Sequence, residues 1–307
     1  MIGSILDAIG NTPLVQLKKL VSPEGADVII KLEYFNPTGS YKDRMALAII
    51  AEAEKRGTLR PGMRVVEYTG GSTGSSLAMV CAVKGYPFEP LSSDAFALEK
   101  TRTMRAFGAK VTLLESEGGK ITPDLFDRFK QEIAERVAEP DTFYTDQMNN
   151  RDAILAYRKI GEELLEQLKG RISVFCAGVG TAGMLLGVSR ALREHGCRAR
   201  IVALEPAGSP LLTKGMIGPH HVEGVGIGFW PPMLTREDFD EARSVEETAA
   251  RTMARRLAAE EGILAGTSTG LNVCAAVELA RELGPGAVVA TVATDTGLKY
   301  LGGDLYQ

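Results

Sequence analysis

The chain has 307 residues, of which 45% are hydrophobic and 24% charged, a balance that excludes disordered or collagen-like character and leaves room for two domains or one large α/β unit. Its formal net charge of -4, with no long run of Lys or Arg, gives no electrostatic footprint for a nucleic-acid backbone or an anionic membrane. Residues 1–7 carry no basic segment ahead of an apolar run, and no apolar stretch is long enough to span a bilayer, so a cytoplasmic setting is expected.

In chain order, strand-like and helix-like runs alternate, the pattern of βαβ units and a mainly parallel sheet. A helix begins near Tyr41. Residues 64–67 read as a strand that ends at a Gly/Ser/Thr turn, and 75–84 as a buried helix stopped by Gly85. A helix over 97–107 precedes a strand over 111–114, and helices over 124–139 and 151–168 follow. Strand 172–176, helix 183–195 and strand 201–204 continue the alternation. The stretch 205–236 is rich in Gly and Pro and too long for a simple connection, as loops that cover a site often are. Helices over 246–260 and 270–283 and a strand over 287–292 complete the chain. Cys81, Cys176, Cys197 and Cys274 form no C-x-x-C pair, so no zinc ribbon or redox pair is indicated, and most sit in apolar surroundings as core thiols.

Four segments concentrate Gly, Ser and Thr where a strand should end and a helix begin: 36–44, 69–76, 177–184 and 266–271. Ligands of open α/β sheets bind at the carboxyl ends of the strands, so these turns are expected to converge on one crevice. Gly178-Val-Gly180-Thr-Ala-Gly183 matches G-x-G-x-x-G, and Glu205 ends the next strand where a ribose-binding acid would stand, so a dinucleotide site fits by spacing. The physical content is broader: N–H groups at a helix start can cradle any phosphate. Gly70-Gly-Ser72-Thr-Gly74 and Gly266-Thr-Ser268-Thr-Gly270 both match the G-x-S-x-G elbow of α/β-hydrolases, yet no histidine follows Ser268, and the pair reads better as clusters of donors for a carboxylate or phosphate. Lys42 stands where a Gly-Ser turn enters a helix. The positive end of the helix dipole disfavours its charged form there, which suits a Schiff-base or proton-transferring amine.

Together these segments resemble the fold type II pyridoxal-phosphate enzymes, above all cysteine synthase and the catalytic core of cystathionine β-synthase. The likeness runs nearly end to end, through Ile9-Gly-Asn-Thr-Pro-Leu14, the Lys42 segment, 69–74, 147–150, 178–183, Glu205-Pro206, Gly224-Val-Gly-Ile-Gly-Phe229 and 266–270. It implies two doubly wound α/β/α domains with pyridoxal 5'-phosphate in the cleft between them, one built from 1–12 and 35–148 and the other from 13–34 and 149–307. By the same resemblance Lys42 is the Schiff-base lysine and the base for the α-proton. Gly178, Gly180, Thr181, Ala182, Gly183 and Met184 hold the phosphate, and Ser72 lies by the cofactor's 3-oxygen. Thr296 is chosen as the pyridine-nitrogen partner, with Asp295 as its uncertain neighbour. Thr69, Gly70, Gly71, Thr73, Gln147 and Gly224 form the substrate site. No metal is implied.

The implied reaction is β-replacement on an O-activated serine with a sulfur nucleophile, through a bound aminoacrylate, by a homodimer. Cystathionine synthesis and deamination or desulfhydration are the alternatives within the family, and a nicotinamide-dependent oxidoreductase is the alternative outside it. Several positions depart from the cysteine synthase pattern. Ser72 stands for Asn, Gly70 for Ser, Ala182 and Met184 for Gly and Thr, and Tyr41 for a small aliphatic residue.

Overall fold

The computed structural model describes residues 1–118 and 123–307. The first half runs β1 (Leu14–Gln16), β2 (Asp27–Leu32), α1 (Lys42–Arg56), β3 (Arg64–Tyr68), α2 (Ser72–Lys84), β4 (Phe88–Ser93), α3 (Leu98–Ala106), β5 (Thr112–Leu114), α4 (Pro123–Val137), β6 (Thr142–Tyr144) and α5 (Asp152–Leu168). The second runs β7 (Val174–Gly178), α6 (Gly183–Glu194), β8 (Arg200–Pro206), α7 (Leu211–Lys214), β9 (Glu241–Val245), α8 (Glu247–Arg256), α9 (Thr267–Leu283) and β10 (Val288–Ala293).

Two sheets result. The smaller has four parallel strands in the order β5-β4-β3-β6. The larger has six in the order β1-β2-β10-β7-β8-β9, parallel except for β1. Strands buried on both faces read as continuous apolar runs, as Val28-Ile-Ile30 in β2 and Val288-Val-Ala-Thr-Val-Ala293 in β10 do. Successive side chains then serve opposite layers. Val28 and Ile30 pack with Leu271, Ala275 and Leu279 of α9, whereas Ile29 packs with Tyr157 and Ile160 of α5 and Leu185 and Val188 of α6.

Helix α1 lies between the two sheets. Met45 and Ile49 join the core on the α5–α6 side of the larger sheet, while Ala46, Ile50 and Ala53 join Val65 of β3 and Leu77 of α2. Its first residue is Lys42, so the helix that wedges the sheets apart also delivers the lysine to the gap between them. One expected element is interrupted: α8 stops at Arg256, a π-helical turn follows over Leu257–Glu261, and Gly262 ends it with φ +71°. Helix α9 begins at Thr267, three residues before the expected start.

A buried ion network fixes the entry to α1. Arg44 donates from Nε and Nη2 to the two oxygens of Glu33, both at 2.8 Å, and from Nη1 and Nη2 to Glu163 at 2.6 and 2.8 Å. Lys31 completes it with Nζ 2.8 Å from Glu163. Glu33 also accepts from Thr12 at 2.6 Å and from Asn36 at 3.0 Å, and Asn11 N–H donates to Glu163. The segment 9–14 thus meets the 36–44 segment through one guanidinium. Its two bidentate pairs give that junction a defined geometry.

Cys81, Cys176 and Cys274 are buried and Cys197 is half-buried, all as free thiols. Burial pushes Cys81 and Cys176 up to about 12 and Cys274 up to about 11, which leaves these three unreactive. Among the described residues no helix is long and apolar enough to cross a membrane.

Candidate functional site

The approach of Lys42 is set by the backbone. Tyr41 N–H donates to Thr294 O and Thr296 N–H to Gly39 O, both at 3.0 Å, which stitches the turn before α1 to the residues leaving β10. Gly39 has φ +72°, and a side chain there would begin 2.6 Å from the Thr296 methyl. Asp43 closes the same turn by accepting from Thr38, through both its N–H at 2.7 Å and its hydroxyl, and from Ser76 of α2 at 2.6 Å. Lys42 is 9% exposed. Among the described residues it forms no ion pair. Its Nζ lies 4.8 Å from the Tyr41 ring centroid and 6.0 Å from that of Tyr157. A buried amine left without a carboxylate is available for chemistry.

The turn 178–183 sits at the end of β7 and opens α6. Gly178 N–H donates to Asn272 Oδ1 at 2.7 Å, and Asn272 Nδ2 donates on to Val292 O, so the turn is anchored to α9 and β10. A side chain at Gly180 would begin 2.3 Å from Gly224 O, a close approach only glycine permits. Ala182 holds φ +67° as the residue before α6, a left-handed conformation that costs about 1 kcal/mol without a glycine. Thr181, Ala182 and Met184 are buried around this cradle. The first-turn N–H groups of α6 have no intrahelical acceptor, which with the positive end of the helix dipole suits an anion.

The loop 69–74 rises from β3 into α2. Gly71 N–H donates to Thr69 Oγ1 at 3.0 Å, and Thr73 Oγ1 donates to Gln147 Oε1 at 2.7 Å. Glu67 holds the strand behind it, accepting from Thr145 Oγ1, Gln147 N–H and Tyr68 N–H. Burial pushes its carboxyl up to about 7 against those three donors. Gly70 has a steric reason to lack the family's serine side chain: a Cβ there would stand 2.7 Å from the Phe96 ring. Lys100 of α3 lies along Gly71 and pairs with Glu223, next to Gly224 (φ +84°), so loops from the two sheets are joined at the rim. Ser72 Oγ donates to Asp295 Oδ2 at 3.3 Å, and Tyr300 OH donates to the same oxygen at 2.8 Å.

Two further groups named from the sequence have defined surroundings. Thr296 Oγ1 accepts from Leu298 N–H at 3.3 Å as the cap of a short 3-10 helix over Gly297–Tyr300, a role that leaves its O–H proton to donate, and its methyl lies on Gly39. Nearby, Ser268 at the start of α9 shares a 2.8 Å hydrogen bond with Thr294, whose carbonyl receives Tyr41 N–H. Glu205, the acid of the dinucleotide reading, is 2% exposed and fully engaged. It accepts from Leu212 N–H at 2.6 Å, from Thr213 N–H and Oγ1, and from Ser244 Oγ, so it fastens the start of α7 and has nothing left for a ribose. Sequence reasoning took Ser268 only as part of a donor cluster for a carboxylate or phosphate, and it missed Tyr157 and the Arg44 network. The signal for the last was Lys31 and Glu33 within the otherwise apolar run of β2 and its exit.

The site therefore joins an unpaired buried lysine, a glycine-lined anion cradle, and separate loops of hydroxyls and amides, a donor set that fits pyridoxal phosphate. Comparison with known proteins agrees. The family model described as pyridoxal-phosphate dependent enzyme matches residues 5–295. A cysteine synthase of Staphylococcus aureus is 40% identical over 100% of this chain and 97% of its own length. An O-ureido-L-serine synthase of Streptomyces lavendulae is 38% identical over 100% and 93%. The crystal structure of a cysteine synthase from Entamoeba histolytica matches with a TM-score of 0.91 and 33% identity, covering 100% of this chain and 91% of that one. Lysine, cradle and whole-chain likeness lead to one conclusion: the chain belongs to the pyridoxal-phosphate dependent enzyme family, alongside the cysteine synthases, and takes pyridoxal 5'-phosphate as its cofactor.

Proposed function

We propose that the protein carries out β-replacement on an O-activated L-serine, O-acetyl-L-serine or a close relative, with sulfide, giving L-cysteine and the released acid. The observation that carries this reading is the pairing of unengaged, buried Lys42 with two distinct anion-binding elements, the 178–183 cradle and the 69–74 loop with Gln147. One suits a phosphate and the other an α-carboxylate. The cysteine synthase relatives support sulfide as nucleophile.

Bound pyridoxal phosphate supplies the electron sink that makes the α-proton acidic. Lys42 Nζ would hold the cofactor and is the base placed to take the proton from the substrate's Cα. Thr69, Gly70, Gly71, Thr73 and Gln147 hold the carboxylate and so orient the Cα–H bond toward that amine, with Gly224 at the rim. The Cβ–O bond breaks with its electron pair leaving on the carboxylate, a Cβ–S bond forms from hydrosulfide, and Lys42 returns the proton to Cα. We assign the ring nitrogen to Ser268 in preference to Thr296, because Ser268 is buried at the start of α9 beside Thr294, whose carbonyl receives Tyr41 N–H, whereas Thr296 turns its methyl onto Gly39. A neutral hydroxyl there, in contrast to a carboxylate, does not hold the nitrogen protonated, which favours loss of the β-substituent. We further assign a homodimer in a cytoplasmic setting.

The deciding assay presents O-acetylserine, O-phosphoserine and serine, each with sulfide and with homocysteine, and identifies products by mass. Cysteine from an O-activated serine and sulfide is expected. Keto acid alone, from serine or threonine, would overturn the synthase reading in favour of a dehydratase. The relative named O-ureido-L-serine synthase supports adding hydroxyurea as a third nucleophile, since that product is the same replacement at Cβ by oxygen.

The cradle has its own test. Gly180→Val would drive a side chain against Gly224 O, so cofactor retention should be lost while far-UV circular dichroism keeps its wild-type shape. Unchanged affinity for the cofactor would show that the turn serves packing only.

A further inference from the structure

Tyr157 carries a polar atom for which the fold has no use. It lies on the buried face of α5 with Ala153, Ile154, Ile160 and Leu164, is 0% exposed, and among the described residues its hydroxyl has no hydrogen-bond partner. Buried hydroxyls are almost always paired, and phenylalanine would fill the same space without leaving one unpaired.

The ring's path shows where that hydroxyl leads. A Cβ built on Gly187 would lie 2.6 Å from Tyr157 Cβ, and one built on Gly183 would lie 3.3 Å from Tyr157 Cε2. The ring therefore runs along α6 toward the helix's first residue, and the hydroxyl extends beyond the ring toward the anion cradle. From the other side, the Tyr41 ring is 5.3 Å away and Lys42 Nζ is 6.0 Å from the Tyr157 centroid. Both approaches meet in the space between the start of α6 and Lys42. Met184, in that turn, contributes no hydroxyl of its own.

We propose that the Tyr157 hydroxyl donates a hydrogen bond to a phosphate oxygen of the cofactor, which makes Tyr157 a positioning residue of the phosphate site. This rests on the reading of 178–183 as that site. Burial, reinforced by nearby Tyr41, Glu33 and Asp43, holds the phenol well above its ordinary pKa, so it remains a neutral donor beside the dianion. The ring also fills the wall behind Lys42, so the phosphate and the lysine share one rigid support.

The test is Tyr157→Phe, which keeps the ring and removes only the hydroxyl. The apo protein is titrated with pyridoxal phosphate and, separately, with pyridoxal, and the bound phosphate is followed by 31P NMR. Affinity for pyridoxal phosphate should fall roughly 10- to 100-fold, the range for a hydrogen bond to a charged group. Pyridoxal affinity should stay unchanged, the 31P resonance should move, and the apo protein should be as stable as wild type or more so. Unchanged pyridoxal phosphate affinity with an unmoved resonance, or an equal loss for both ligands, overturns the proposal. A wild-type protein that binds both ligands equally would instead refute the phosphate reading of the turn itself.

Discussion

Lys42→Ala should abolish turnover, by at least about 10³-fold, because one amine serves as both cofactor anchor and proton carrier and general-base catalysis alone contributes 10²- to 10⁴-fold. The fold should survive. Lys42 forms no ion pair among the described residues, and its contacts with the rings of Tyr41 and Tyr157 are worth about 0.5 to 2 kcal/mol. Borohydride treatment of the wild type should fix the cofactor to the peptide carrying Lys42. Lys299 is the informative control, since its Nζ is also buried without a partner among the described residues and burial lowers its pKa. Fixation at Lys299, or turnover retained in Lys42→Ala, would refute the assignment.

Arg44→Ala should be the most destabilising of the substitutions considered, costing about 3 to 5 kcal/mol, because it leaves Glu33 wholly buried without its ion-pair partner. Arg44→Lys should recover only part of the loss, since an ammonium cannot grip two carboxylates bidentately. Acid stability gives a second readout. Burial alone would raise the Glu163 carboxyl, but hydrogen bonds and charge from Arg44 and then Lys31 outweigh it and bring the group down to about 2. A carboxylate held below its unfolded value stabilises the fold above about pH 4.5. That contribution is lost as pH falls toward 2. In Arg44→Ala the loss should begin at higher pH, as denaturation midpoints measured from pH 2 to 7 would record. Identical acid profiles for wild type and variant would show that the network does not set the pKa of Glu163.

The alternation of strands and helices was legible because strands buried on both faces stand out as short apolar runs between turn residues, and the helices as longer runs with their own start and stop signals. β7, β8 and β10 and helices α5, α6 and α9 all appear where the pattern puts them, to within a few residues. Which strands share a sheet was less accessible. β2 reaches β10 across most of the chain, and its local sequence carries no record of that partner. The Gly-rich turns were visible because close backbone approach demands glycine, as Gly180 against Gly224 O shows. Choosing among neighbouring hydroxyls was not possible from sequence. Thr296 and Ser268 both stand at helix starts, and only their surroundings in three dimensions separate them, Ser268 beside Thr294 and the Thr296 methyl on Gly39. Tyr157 was hidden for a different reason, since at helical spacing among apolar residues a tyrosine is indistinguishable from ordinary core.

The order of the larger sheet also dictates a timetable for synthesis. Strands β3 to β6 lie within 64–144 and can pair soon after translation, whereas β2, whose Asp27 faces Val288 of β10, has its main partner some 260 residues later. At 5 to 20 residues per second the wait is on the order of 10 to 50 seconds. Through that interval Val28-Ile-Ile30 has only the three-residue β1 beside it, an apolar edge able to template wrong pairings. Slower elongation or chaperone depletion should therefore lower the soluble yield through this strand, at a stage when the smaller sheet is already built.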